Sequence, residues 1–284
     1  MKFLSNAHTH TTYCDGKTSI VEMIAAAQRL GFVSLGFSGH ADQAFDGAYS
    51  MIDGRQEAYF EELRALQALK GTPRLWVGLE LDALADEPCR KKAYAQSDYV
   101  IGSTHYLCRE YAPGLPAVDG DPALLRQYVD ERLDGDGIAM ARAYYAIHAE
   151  MLLRDRPTII GHFDVVRKHA ARHGFFDENG ALYRLVALDA LERSFPCGGV
   201  LEVNTGGMAR GYLNMPYPTK ELLGAWREMG GETTITSDCH DASRLDYGFD
   251  AALRLLASAG YRRVLRLGTG EALWEDMRVA AVRG

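Results

Sequence analysis

Cysteine is sparse in this sequence. The five present, Cys14, Cys89, Cys108, Cys197 and Cys239, include no CxxC pair. That excludes a disulfide framework and a thiolate zinc knuckle as organising devices. No apolar run reaches the length of a bilayer-spanning helix, and the first residues lack the apolar core of a signal peptide. The expectation is a reduced, cytoplasmic protein without membrane contact. Lys and Arg form no run either. With a formal net charge of -7, the chain is a poor partner for a nucleic-acid duplex. A locally positive pocket for a small anion remains compatible with that balance. No GxGxxG follows the first strand-like run, which argues against a dinucleotide-binding Rossmann unit. Internal repeats and low-complexity segments are absent.

What the sequence does contain is a regular alternation of strand-like and helix-like runs. Its 284 residues are 47% apolar and 24% charged, the composition of a soluble globular enzyme. The length suits one α/β barrel, so a single domain over residues 1–284 is expected. Strands are predicted at Met1–Leu4, Phe32–Phe37, Leu75–Leu81, Tyr99–His105, Thr158–His162, Val200–Asn204 and Thr233–Ser237, with a short one at Val264–Leu267. The first helix opens on Ser19-Ile20-Val21-Glu22, which has capping-box spacing, and stops at Gly31. Further helices are predicted at Arg55–Leu69, Ile138–Leu153, 181–195, Lys220–Met229 and Asp250–Ser258. Residues 41–54 read as a loop over the site. The 109–136 segment carries Pro113, Pro116, Pro122 and several Gly and Asp, and reads as an insertion or lid. Repeated βα units imply a parallel sheet with right-handed crossovers. Polar stops at six strand ends fit a barrel with its active site at that face. A doubly wound open sheet is the alternative, and would gather ligands at one switch point.

The polar stops are rich in histidine. His8-Thr9-His10 follows the first apolar run, and residues two apart in a strand share a side, so both imidazoles can converge on one metal ion. Of nine histidines, six lie at strand ends: His8, His10, His40, His105, His162 and His240. His148, His169 and His173 lie in helical or loop stretches and are read as structural. Asp15, Glu80 and Asp238 bring the candidate ligands to nine, too many for one four-coordinate zinc and suited to two or three metals. Imidazole with carboxylate suits zinc, iron or manganese. Glu80 lies inside the apolar run Leu75–Leu81, where an unpartnered carboxylate is costly, and it is the natural bridge between neighbouring cations. A hydroxide held between two such metals would be ionised near neutral pH. Three divalent ions against three carboxylates would also leave local positive charge for a phosphate. Small filler is the reading for Cys14 and Cys239.

Taken together, His8-Thr9-His10, Ser38-Gly39-His40, Gly78-Leu79-Glu80, Gly102-Ser103-Thr104-His105, Gly161-His162-Phe163-Asp164 and Ser237-Asp238-Cys239-His240 resemble the motifs of the polymerase and histidinol phosphatase (PHP) superfamily. Tyr49-Ser50-Met51, Val165-Val166-Arg167-Lys168 and Asn204-Thr205-Gly206-Gly207 with Arg210-Gly211-Tyr212 sharpen the resemblance to its histidinol-phosphatase family. The similarity covers nearly the whole chain. It implies a distorted (β/α)7 barrel, TIM-barrel-like and of the PHP type, with a trinuclear site. Carried over, the first metal takes His8, His10, Glu80 and Asp238. The second shares Glu80 and takes His105 and His162, and the third takes Asp15, His40 and His240. The resemblance implies catalytic roles for Glu80, Asp238 and His240, and phosphate contact by Arg167, Arg210 and His40. Arg is also the side chain best shaped for bidentate phosphate contact.

The implied activity is hydrolysis of L-histidinol phosphate to L-histidinol and phosphate by a metal-bridging hydroxide. A sibling phosphoesterase acting on another small phosphomonoester or a nucleotide is the alternative. A proofreading-type nuclease would need a basic groove with stacking aromatics, against which the acidic balance argues. A non-catalytic metal-binding module would bind metal without turnover, and the complete ligand set argues against it. Asp42, Asp46, Glu110 and Asp164 are unranked candidates for receiving the substrate ammonium. The oligomeric state is left between monomer and homodimer. The chain departs from the family in Cys239, where a small residue such as Ala is usual, and in a longer, more acidic 109–136 segment.

Overall fold

A computed structural model describes residues 2–69, 71 and 73–279. The strands are β1 (Ser5–Asn6), β2 (Ser34–Phe37), β3 (Arg74–Asp82), β4 (Tyr99–Ser103), β5 (Ile159–Ile160), β6 (Val200–Asn204), β7 (Thr233–Thr236), β8 (Arg263–Leu267) and β9 (Trp274–Arg278). They form one curled sheet in sequential order. Among the described strands each of β1 to β7 pairs parallel with the next, and β8 pairs antiparallel with β9. Sequential parallel order is what short βα units produce when every crossover has the same hand. The helices between are α1 (Ile20–Leu30), α2 (Arg55–Ala68), α3 (Glu87–Gln96), α4 (Pro122–Arg132), α5 (Gly137–Asp155), α6 (Ala170–His173), α7 (Ala181–Ser194), α8 (Gly206–Ala209), α9 (Lys220–Glu228) and α10 (Phe249–Ser258).

The expected capping box at α1 is present: the Ser19 side chain accepts from Glu22 N, and the Glu22 side chain accepts from Ser19 N. Gly31 ends that helix at φ 76°, a left-handed position that glycine takes without strain. α3 and β9 are among the elements with no counterpart in the sequence reading. α3 is a ten-residue, strongly polar helix whose signals are its Asp86 cap and an early proline rather than an apolar stripe. β9 is a half-exposed edge strand, Trp-Glu-Asp-Met-Arg, without clean alternation. The first strand lies at Ser5–Asn6, just after the predicted Met1–Leu4, of which Met1 is outside the described residues.

The curl of the sheet closes at one seam. Thr9, beyond β1, bridges in parallel to Cys239, beyond β7. His10 N donates to Cys239 O at 2.8 Å, and Cys239 N donates to His8 O at 3.0 Å.

One apolar cluster lies inside the curl: Ala7, Trp76, Tyr99, Ile101, Ile159 and Leu267. Alternation on β3 puts Trp76, Gly78, Glu80 and Asp82 on this inner side, while Leu75, Val77, Leu79 and Leu81 join the larger core shared with the helices. Tyr99 crosses the interior and donates to Ala7 O at 2.6 Å. Gly36 and Gly78 make room for it, because a Cβ on either would lie within 2.5 Å of its ring or hydroxyl. Trp76 donates through Nε1 to Gly268 O at 2.8 Å. The inside of the curl is therefore a packed floor. A bend at Ala7 then turns the following residues, so that His8 and His10 stand above that floor.

The 109–136 segment has its own structure. Tyr106 and Ala117 form an antiparallel bridge, and Val118 N donates to His105 O at 2.8 Å. α4 follows, capped by Asp121, whose side chain accepts from Ala123 N, with Pro122 at its start.

Candidate metal centre

Glu80 stands at the middle of the upper layer, 1% exposed. Its two oxygens face different groups. Oε2 lies 3.2 Å from His8 Nε2, 3.4 Å from His10 Nε2 and 3.3 Å from His40 Nδ1. Oε1 lies 3.1 Å from His162 Nε2 and 3.5 Å from His105 Nε2, and accepts from Ser103 Oγ at 2.6 Å. Asp238 Oδ1 is 3.4 Å from His10 Nε2, 3.7 Å from His8 Nε2 and 3.5 Å from His240 Nδ1. Asp15 reaches His10 Nδ1 at 3.3 Å, His240 Nε2 at 2.9 Å and His40 Nε2 at 3.8 Å. The structure thus brings all nine candidate residues into one cluster. It resolves into three groups whose donor atoms lie within 4.8 Å of one another: His8, His10 and Asp238; Glu80, His105 and His162; and His10, Asp15, His40 and His240.

A second layer of carboxylates holds the imidazoles. Glu202, fully buried, accepts from His8 Nδ1 at 3.0 Å, from Thr236 Oγ1 at 2.7 Å, from Asn204 Nδ2 at 2.8 Å and from the His162 amide at 2.5 Å. Asp82 Oδ2 accepts from the His105 amide at 2.8 Å and from its Nδ1 at 3.2 Å. Each carboxylate holds a proton on Nδ1, so that Nε2 would present its lone pair to a bound cation, the usual arrangement of an outer partner to a metal-bound histidine. Neither residue was among the candidates. Glu202 lies in Val200-Leu201-Glu202-Val203, and the argument applied to Glu80 in its apolar run would have found it.

Electrostatics alone leaves this cluster unfinished. Burial would lower the His8 pKa, yet Glu202, Glu80 and Asp238 outweigh it and raise it to about 10. Burial likewise opposes ionisation of Glu80, and the surrounding histidines hold it well below the carboxylate range. At His40 burial prevails, and its pKa falls to about 4. Protons on imidazoles thus stand in for cations. His8 Nε2, His10 Nε2 and Asp15 Oδ1 are nevertheless buried without a hydrogen-bond partner among the described residues. Buried polar atoms left unpaired are costly. The donor set and these orphaned atoms together fit divalent cations held by nitrogen and oxygen. Asp238 is also one of few non-glycine residues at positive φ, 48°, strain of the kind that collects at functional sites. Gly206 permits its placement, since a Cβ there would meet Asp238 Oδ2 at 2.8 Å.

Arg210 lies at the edge of the cluster. Its Nη2 is 2.7 Å from Asp238 Oδ2, and its side chain is 36% exposed. Arg167 is more deeply set: Nη1 pairs with Asp164 at 2.8 Å, and Nε pairs with Glu178 at 2.8 Å.

A family model described as PHP domain matches residues 6–206, a span that includes seven of the nine clustered residues. The chain belongs to the PHP domain family. Over 271 residues this PHP domain chain is 28% identical to a Deinococcus radiodurans protein named "Probable histidinol-phosphatase", covering 93% of this chain and 96% of that one. A Schizosaccharomyces pombe protein of the same name is 21% identical over 286 residues, covering 95% and 90%. Among solved structures, histidinol phosphate phosphatase from Lactococcus lactis complexed with Zn, L-histidinol and phosphate shares the fold. Its TM-score is 0.69 at 22% identity, covering 93% of this chain and 96% of that one.

The remaining expectations for the PHP domain concern its rim. Asp42 sits 3.5 Å from Lys92, Asp46 accepts from the Tyr106 hydroxyl, and Asp164 pairs with Arg167 and accepts from Thr219 N at 3.0 Å. Glu110 is exposed. His148, read as structural, is buried and bonded to Thr104 Oγ1 at 2.9 Å, and burial lowers its pKa to about 3. Cys14 Sγ lies 3.5 Å from His10 Nδ1, and Cys239 Sγ donates to Asp241 O. Lys168 and Asp119, which were not among the candidates, face each other at the mouth, with Lys168 Nζ 3.4 Å from Asp119 Oδ2. No helix among the described residues is long and apolar enough to cross a membrane.

Proposed function

We propose that this PHP domain chain is a metal-dependent phosphomonoesterase that hydrolyses L-histidinol phosphate to L-histidinol and phosphate. The observation that carries the reading is Glu80, whose two oxygens each face a separate set of imidazoles. Full-length relatives bearing the histidinol-phosphatase name support the substrate, and the Zn-containing structural neighbour supports the cation. We read β1–β7 as the (β/α)7 barrel proper, with β8 and β9 as an extension. His8, His10, Glu80 and Asp238 would hold one ion, Glu80, His105 and His162 a second, and Asp15, His40 and His240 a third. Zinc, iron or manganese each suits such a donor set. When bound, such ions supply a water acidified toward neutral pH and positive charge beside the phosphoryl oxygens.

The side chains do the rest. Glu80 and Asp238 carry the negative charge that gathers the cations, and Glu202 and Asp82 hold His8 and His105 in the required tautomers. Arg210, fixed by Asp238, neutralises a phosphoryl oxygen as charge develops there. Arg167 has one terminal nitrogen left for the same task, and His40 and His240 border the same opening. Phosphate release by the metal-loaded protein tests the proposal, comparing L-histidinol phosphate with sugar phosphates, nucleotides and a single-stranded oligonucleotide. A preference of several orders of magnitude in kcat/KM for L-histidinol phosphate is expected. Even turnover across the panel would keep the metal chemistry and overturn the substrate.

A further inference from the structure

The 109–136 segment places a carboxylate over the metal centre and pins it there. Val118 N donates to His105 O at 2.8 Å, so the residue before Asp119 is tied to a candidate ligand. Lys168 Nζ donates to Asp119 O at 2.5 Å, and His169 Nε2 donates to Gly120 O at 3.0 Å. Three hydrogen bonds on three consecutive residues leave little freedom for a swinging lid. Asp119 keeps 27% of its side chain exposed, while that of Lys168 is 9% exposed and its ammonium lies 4.5 Å from the centre of the Tyr212 ring. Burial pushes the Asp119 carboxyl up, but Lys168, His105, His162 and Arg210 outweigh it and hold it at about 2. Its place is set by the Val118 bond to His105 on one side and by Lys168 on the other.

The other carboxylates near the mouth are committed. Asp46 serves Tyr106, and Asp164 serves Arg167 and Thr219. Among the described residues the Asp119 carboxylate is paired with Lys168 alone. We propose that the Lys168–Asp119 pair selects phosphomonoesters that carry a cationic amine. This rests on the phosphomonoesterase reading above. The phosphate draws Lys168 from Asp119, and the substrate ammonium takes the vacated place on the carboxylate. Each internal charge takes a group of opposite sign on the substrate as its new partner. A phosphate ester without the amine would leave Asp119 unpaired beside added negative charge, and such stranding is what gives a charged site its selectivity.

The test compares L-histidinol phosphate with its deamino analogue, and phosphoethanolamine with the phosphate monoester of ethylene glycol. In the wild type, kcat/KM is expected to favour the amine of each pair by roughly 30-fold or more, the scale of one truncated charge pair. Asp119→Asn should cut that preference at least tenfold with metal content equal to wild type. Asp119→Glu, which keeps the charge, should restore part of it. Asp119→Ser makes the same comparison if the Asn variant is insoluble. Absence of an amine preference in the wild type, or an equal loss on both members of a pair in Asp119→Asn, would overturn the proposal. Failure of the histidinol phosphate reading shows separately, as even turnover across the wider panel, and the phosphoethanolamine pair still reads the role of Asp119.

Discussion

The inside of the curled sheet has two layers, equally buried and chemically opposite. The lower holds Trp76, Tyr99, Ile101, Ile159 and Leu267, each 7% exposed or less. The upper holds His8, His10, Glu80, His162, Glu202 and Asp238, within the same limit. β3 contributes Trp76 to one and Glu80 to the other, four residues apart on a single face. The lower layer is stabilised by removing apolar surface from water, about 25 cal/mol for each Å². The upper layer gains nothing of that kind. Its carboxylates and imidazoles must neutralise one another or be neutralised by cations. Equal burial therefore supports the fold below and stores unfinished coordination above.

Substitutions can break this contrast, and they differ in scale. Glu80→Ala is expected to remove phosphatase activity at least about 10^3-fold, the upper range for one lost transition-state contact, while circular dichroism stays that of a folded chain. Near-normal turnover would remove Glu80 from the centre. Trp76→Ala acts on the other layer. It should destabilise the fold by about 3–5 kcal/mol, read as a lower urea midpoint, with metal stoichiometry kept in the molecules that remain folded. Glu202→Gln tests the boundary between layers. Metal affinity should fall about 10- to 100-fold, as for outer-layer partners generally, with a smaller change in the urea midpoint than Trp76→Ala gives. Unchanged affinity by competition with a chelator would show that His8 needs no fixed tautomer. The smallest effects are expected at the arginines. Arg210→Ala should raise KM for phosphate esters by about tenfold, the equivalent of one charged hydrogen bond, and Arg167→Ala by less, because Arg167 is already shared between Asp164 and Glu178. The reverse order would exchange their roles.

The upper layer was more legible than the lower. Histidines at strand ends announce themselves by type and position, and all nine candidates fall in one cluster. Strands and helices with a clear apolar period were placed to within a few residues, as α5 at Gly137–Asp155 against 138–153 illustrates. What escaped lacked such a period. α3 is marked chiefly by its Asp86 cap. α4 lies in a segment whose prolines led to its reading as an insertion or lid, although Pro122 begins its helix. Glu202 was legible by the rule that picked out Glu80. Asp119 and Lys168 were not, because their meeting depends on hydrogen bonds between a strap and a turn separated by 49 positions.

The seam between Thr9 and Cys239 also sets the order of events in the protein's making. Asn6 and Ser237, 231 positions apart, hydrogen-bond at 2.6 Å beside it. His8, His10 and Asp15 leave the ribosome before Asp238 and His240. Since chains fold from the N-terminus as they emerge, one half of the clasp waits for the other to be made. A chain interrupted before Asp238 could hold every helix from α1 to α9 and still have an open barrel. Cation uptake at the full set of sites would then report that the sheet has closed.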